Sequence, residues 1–427
     1  IAALIAASTA LLGNNLIAIK LPSLLIYPAT AFALFALGRR LYSPRVGFWA
    51  GLAFMSMPLV AALGLFVSAD APLLLCWSLA LLFLLRALER EGWADWLACG
   101  AFIGIGLMSK YTMAAFLPSA LLLIVLDARH RRWLARPQPW VALLLAFAIL
   151  SPNLYWNWAH DFPTFRHTAE ITRVGHGERG WHPGQLGEFI GAQWLSFGPL
   201  LGVLLGWALL RSRSLWHERA HRTLLLFIVP LLALVSAQAL TGRANGNWAA
   251  PIFVAACLLV PAVFLTDRRR WVVAGVVVNL VASVAAYHWP DIARLTGSGL
   301  TAKNDPYKRA RGWINLADGV APFVAEHPGA ILVGEDREII AHLVYRLHPV
   351  EYAAWNPGRP PRDHYEIVTT LADKRGRDVL YVGRQPEIPA IAAHFAGSER
   401  LGKVVVPIHA DFKREVYVFL LKDFQGY

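Results

Sequence analysis

Long apolar blocks fill the chain as far as about residue 288 and then stop. Blocks of about 17–25 apolar residues can cross a hydrocarbon layer of ~30 Å as helices. The pattern predicts ten spans, over 16–38, 46–65, 72–88, 95–109, 112–126, 139–156, 191–210, 222–240, 248–265 and 271–288. Residues 1–12 are apolar as well. At ~1.5 Å per residue they reach only about 18 Å, so they are expected to lie along the membrane as a helix ended by Gly13-Asn14-Asn15.

After Pro290 the pattern changes to short β runs alternating with amphipathic stretches. Strands are expected near 330–335, 379–383, 403–408 and 415–421, and helices near 307–326, 336–347, 367–375 and 388–395. The fold class is therefore a polytopic α-helical membrane protein with a small C-terminal α/β domain. Its divisions are 1–15, 16–288 and 289–427.

Charge then orients the spans. Of the 22 Lys and Arg residues before Asp291, 16 fall in alternate connections: Arg39, Arg40 and Arg45; Arg86 and Arg90; Arg129, Arg131, Arg132 and Arg136; Arg211, Arg213, Arg219 and Arg222; Arg268 to Arg270. The positive-inside rule puts these turns in the cytosol. The arginine-poor turns, the connection 157–190 and the tail then share the outer side. The tail is nearly balanced, with 18 basic and 17 acidic residues, so the net charge of +12 reports topology and not nucleic-acid binding. Cys76, Cys99 and Cys257 lie in apolar runs and indicate no disulfide framework. The chain opens on Ile1 inside an apolar stretch, without a charged leader, which reads as the continuation of upstream sequence.

Candidate chemistry gathers in the outer turns. Asp70, in Ser68-Ala69-Asp70-Ala71-Pro72, is the only carboxylate between Ile1 and Glu89. It reads either as the N-cap of the next helix or as a group that orients an acceptor or a metal ion. Lys110 follows Gly104-Ile105-Gly106-Leu107-Met108-Ser109, which lacks the ending of a phosphate-binding P-loop. The short spans beside it should leave Lys110 and Tyr111 recessed, where a cation faces a cavity or a partner such as a lipid phosphate, or snorkels to the interface.

The outer loop mixes aromatics with His160, Arg166 and His167. The separations between His160, His167, His176 and His182 match no compact zinc motif, so a divalent metal stays an open question. The last outer turn, Arg243-Ala244-Asn245-Gly246-Asn247-Trp248, suits a wall for a sugar or phosphate, and equally a simple interfacial cap.

The ordered set SADAPLLLCWSLALLFLLRAL, GIGLMSKYT, SPNLYWNWAHDFPTFRH and GNWAAP resembles the bacterial family-39-like glycosyltransferases of the GT-C membrane fold. These are relatives of protein O-mannosyltransferases and of the aminoarabinose transferase that modifies lipid A. The resemblance implies inverting transfer of a sugar from a polyprenyl-phosphate donor to a hydroxyl acceptor on an envelope lipid, glycan or protein. The setting would be the outer face of a bacterial inner membrane. Its partners would be membrane lipid, the lipid-linked sugar and the acceptor.

By position Asp70 matches a second acidic site of such enzymes. Lys110, Arg166 and Arg243 match donor-phosphate contacts, and Tyr111, His160, His167, Asn247 and Trp248 are substrate-contact candidates. Residues 1–15 resemble the segment just after the family's Asp-His-Pro-Pro stretch, so the principal catalytic aspartate is expected upstream of Ile1. A transporter or flippase is the competing reading, although paired broken helices and repeat symmetry are absent from the pattern. A non-catalytic paralogue that binds lipid-linked sugar is another.

Overall fold

The computed structural model describes residues 1–172, 180–358 and 360–427. The chain divides into two compact units, Ile1–Ala286 and Tyr287–Tyr427.

The first unit is helical: α1 (Ala2–Leu12), α2 (Leu16–Leu41), α3 (Pro44–Ser56), α4 (Pro58–Leu65), α5 (Asp70–Glu89), α6 (Trp93–Ser109), α7 (Phe116–Leu126), α8 (Pro137–Ala159), α9 (Pro163–Thr172), α10 (Pro183–Phe197), α11 (Pro199–Leu210), α12 (Ser212–Leu215), α13 (Arg219–Thr241), α14 (Ile252–Phe264) and α15 (Arg269–Tyr287). A helix coincides with each predicted span. Among the described residues five helices are long and apolar enough to cross a membrane alone, or up to seven spans if each bent pair counts as one.

Two expected spans are not straight: 46–65 bends by 52° where α3 meets α4, and the other bends more sharply. The stretch 191–210 breaks at Gly198, where α10 and α11 meet at 114°. Gly198 sits at φ +99°, and a Cβ there would fall 1.8 Å from Asn279 Oδ1. Asn279 is fully buried and donates through Nδ2 to the Phe197 carbonyl at 2.9 Å. That carbonyl has no partner further along α10, so an amide from α15 closes the helix end, as buried backbone groups require. The bend separates two arms, α10 and α11. Periodicity alone does not reveal it, because both arms are apolar.

Close packing holds the bundle together. A Cβ on Gly100 of α6 would stand 2.2 Å from the Ala142 carbonyl of α8, so the two backbones meet where a side chain would keep them apart. Trp77, Phe116 and Phe227 join α5, α7 and α13, with ring centroids 5.0–6.2 Å apart.

At one end of this unit the basic connections pair with the few acids near them. Arg40 pairs with Glu89, Arg132 and Arg136 with Glu91, and Arg222 and Arg129 with Asp127. The arginine-poor turns gather at the other, where Lys20 donates to the Leu65 carbonyl at the end of α4.

The second unit holds α16 (Trp289–Leu295), α17 (Trp313–Glu326), β1 (Ile331–Gly334), α18 (Arg337–Leu347), β2 (Tyr352–Ala354), α19 (His364–Val368), β3 (Val379–Gly383), α20 (Pro389–Ala392), β4 (Phe395–His409) and β5 (Phe412–Phe424). The sheet order is β2-β1-β3-β5-β4; β1 runs parallel to β2 and β3, and β5 antiparallel to β3 and β4. Both faces are covered. Trp313, Leu316 and Leu343 pack on one and Trp355, Leu371 and Phe424 on the other. The central strands accordingly read as continuous apolar runs.

Two expectations fail here. The segment 388–395 holds only the short α20 before β4 starts at Phe395, and 367–375 is mostly turn after α19. A Pro at the start of a four-residue helix and a long hairpin partner outweigh the local helical pattern.

Candidate functional site

Asp70 opens α5, but its side chain does not cap that helix. Ser68 takes the local role, because its Oγ accepts from the Asp70 N–H at 3.0 Å and donates to Asp70 Oδ2 at 2.7 Å. The carboxylate is thereby free to point across the turns. Oδ1 accepts from Lys110 Nζ at 2.7 Å, and Oδ2 accepts from Asn247 Nδ2 at 2.8 Å. The Asp70 side chain is 3% exposed and that of Lys110 is 22% exposed. The expectation of an N-cap is therefore corrected: a serine two residues earlier satisfies the local donor and leaves the acid to an ion pair. The partner of the recessed lysine within the chain is this carboxylate.

Three arginine-poor turns meet at this point. Ser109 Oγ donates to the Ala69 carbonyl at 2.8 Å, which fixes the end of α6 to the start of α5. Asn247 stands in the short 3₁₀ turn Gly246–Ala249. That turn is itself anchored by Gln193 of α10, whose Nε2 donates to the Gly246 carbonyl at 2.7 Å. Lys110 has one side-chain partner among the described residues, so two of its three ammonium hydrogens stay available to an anion.

Tyr111 comes next, at the start of a second 3₁₀ turn, Tyr111–Ala115. Its hydroxyl donates to Asn153 Oδ1 and accepts from Asn157 Nδ2 at 3.3 Å. Asn157 is fully buried, and its Oδ1 also accepts from the Thr164 N–H at the head of α9. The Tyr111 ring lies 5.4 Å from Phe165. Tyr111 thus props the outer loop beside Lys110.

The remaining candidates are more peripheral. His160 is exposed and stacks on Trp156, with centroids 4.6 Å apart. Arg166 is exposed and donates to the His160 carbonyl at 3.3 Å. His167 is exposed on α9, and Trp248 is half-buried beside Asn247. His176 lies outside the described residues. Among the described residues no three His, Cys, Asp or Glu side chains gather as metal ligands.

Sequence reading missed Ser68, Ser109, Asn153, Asn157 and Gln193. Only Gln193 carried a usable signal, since Gln185, Glu188, Phe189, Ala192 and Gln193 recur at helical spacing after Pro183.

The sheet unit offers one further place where α/β folds hold ligands, the crevice beyond the carboxyl ends of β1 and β3. Here Arg384 bridges Asp336 at 2.8 Å and Glu338 at 3.2 Å, while Asp336 caps α18 itself. Its own side chains occupy that crevice.

Known proteins share both the sequence and the fold. The family model for dolichyl-phosphate-mannose-protein mannosyltransferase matches residues 1–156. A lipid A galacturonosyltransferase, RgtD, of Rhizobium johnstonii is 27% identical over 90% of this chain and 80% of its own. An undecaprenyl phosphate-alpha-4-amino-4-deoxy-L-arabinose arabinosyl transferase of Pseudomonas fluorescens is 28% identical over 66% of this chain and 50% of its own. The crystal structure of ArnT from Cupriavidus metallidurans bound to undecaprenyl phosphate superimposes with a TM-score of 0.62 at 17% identity, covering 97% of this chain and 86% of that one.

The chain is thus a polytopic membrane protein with the GT-C glycosyltransferase fold. Its sequence relatives are membrane glycosyltransferases, among them transferases named for lipid A and for an undecaprenyl-phosphate sugar.

Proposed function

We propose that the chain belongs to an enzyme that moves a sugar from a polyprenyl-phosphate donor to a hydroxyl acceptor of the cell envelope. The reaction would run at the outer face of the membrane with inversion at the anomeric carbon. The observation that carries this reading is the Lys110 ammonium, held by Asp70 where three arginine-poor turns converge and with donors to spare.

In such a transfer the bond between the anomeric carbon and the phosphate oxygen breaks, and its electron pair leaves with the phosphate. The acceptor oxygen forms the new bond, and its proton passes to a carboxylate. Lys110 supplies the positive charge that stabilises the departing phosphate, with Arg166 as a second cation from the outer loop. Both oxygens of Asp70 are engaged within the chain, one of them by an ammonium. Asp70 acts as a positioning residue that aims Lys110 and Asn247. Tyr111 keeps the loop with His160 and His167 against the site.

The test uses protein carrying its native flanking sequence, purified and given defined undecaprenyl-phosphate sugars. Released lipid phosphate is measured with and without an acceptor. Acceptor-dependent release that is lost in Lys110→Ala is expected. Absence of release from the unsubstituted protein with every donor tried, or undiminished release in Lys110→Ala, overturns the reading.

A further inference from the structure

Beside the Asp70 site lies a polar cleft of about 490 Å³, lined by Gln185, Glu188 and Phe189 of α10 and by Arg243, Asn245 and Gly246 of the facing turn. Its size falls in the range of ligand pockets, roughly 300–1,000 Å³. Glu188 and Arg243 are both exposed, and among the described residues neither takes part in an ion pair. Two opposite charges therefore share one cleft without neutralising each other. Among the described residues the buried amide oxygens of Gln185 and Gln193 find no donor. Buried amide oxygens of this kind are normally satisfied.

A bare phosphate answers only half of this lining, since Arg243 attracts it while Glu188 repels it. A purely apolar group answers none. Sugar hydroxyls donate to carboxylate and amide oxygens, while an acidic substituent on the same sugar matches the guanidinium in a bidentate pair. Phe189 provides an apolar wall for the ring's C–H face.

We propose that this cleft is a saccharide subsite for a sugar bearing a phosphate or carboxylate, held by Glu188, Gln185 and Arg243. As a part of the transferase it receives the acceptor, a clause that rests on the function proposed above. Arg243 then serves the acceptor and not the donor phosphate. Glu188 is not a general base here; it orients the incoming sugar. The cleft connects to the reaction site through one turn, in which Gly246 lines the cleft and Asn247 binds Asp70.

Saturation-transfer NMR on the protein in nanodiscs, with its native flanking sequence, tests the assignment without any donor lipid. Glucose 6-phosphate is the probe, with glucose and inorganic phosphate as comparisons. Glucose 6-phosphate is expected to bind in the millimolar range, more tightly than either comparison, and Glu188→Gln and Arg243→Gln are each expected to weaken it at least tenfold.

Equal binding of inorganic phosphate would reduce the cleft to an anion site and overturn the proposal. So would unaltered binding in both variants, or no binding by the unsubstituted protein. Because the readout requires no turnover, sugar binding without transfer sinks only the reaction, and transfer with unaltered sugar binding in the variants sinks only the subsite.

Discussion

Asn247 Nδ2 donates to Asp70 Oδ2 at 2.8 Å, joining residues 177 positions apart. The same carboxylate binds Lys110, so one acid ties together the turns before α5, after α6 and after α13. Removing either partner disturbs more than one turn, and the consequences for stability and for activity can be separated.

Lys110→Met leaves a nearly buried carboxylate without its cation, and breaking such a pair costs about 3 kcal/mol or more. A clear drop in thermal midpoint in detergent is expected. Asp70→Asn combined with Lys110→Met removes both charges and should recover most of that loss, yet sugar transfer should stay abolished. Recovered transfer in the double variant would show that the pair serves the fold alone.

Asn279 is a fully buried amide in α15, and among the described residues its one partner is the carbonyl that ends α10. Asn279→Leu should cost about 1–3 kcal/mol, the penalty for leaving a buried carbonyl unsatisfied. Gly198→Ala should cost more, because the new Cβ overlaps Asn279 and the backbone is left-handed there. Midpoints from thermal unfolding of the purified protein rank the two.

In the sheet unit, Glu415 accepts from Lys413, Tyr417 and Lys403, and these contacts hold its carboxyl down to about 2 from an ordinary 4.5. A lowered folded-state value means stability that is present above about 4.5 and lost as pH falls toward about 2. Glu415→Gln should flatten the acid limb of the unit's unfolding curve across that window. Intrinsic fluorescence of Trp313, stacked 3.9 Å under the Arg414 guanidinium, is a suitable monitor if compared with a Trp313→Phe control.

Topology is open to direct labelling. Single cysteines at Asn245 and Lys303 should react with an impermeant maleimide on intact spheroplasts. One at Arg132 should react only after permeabilisation. The reverse pattern would invert the orientation inferred from the basic turns.

The helices were legible because membrane spans impose long apolar runs, and Asp70 and Lys110 were conspicuous as isolated charges in those runs. Their pairing was not legible, since 40 positions of sequence say nothing about which groups face each other. Asp70 with Pro72 two positions on has the composition of a helix start, and only the position of Ser68 Oγ shows that the cap is made otherwise.

Asn157 escaped notice because polar residues are ordinary beside an interface, whereas its burial depends on Tyr111 and α9 folding over it. In the sheet unit, β2 has only three residues and takes its identity from pairing with β1. The arm α10 was hidden inside what reads as a loop followed by a span. Glu188 was hidden with it.

The elbow at Gly198 gives that arm leverage. Fifteen residues at ~1.5 Å make α10 about 22 Å long, so a ten-degree change in the tilt of α11 would carry its far end about 4 Å if the joint stays stiff. Tilt follows hydrocarbon thickness. The space between Glu188 and Arg243 is therefore expected to vary with the lipids around the protein, and sugar binding compared in bilayers of different thickness tests this.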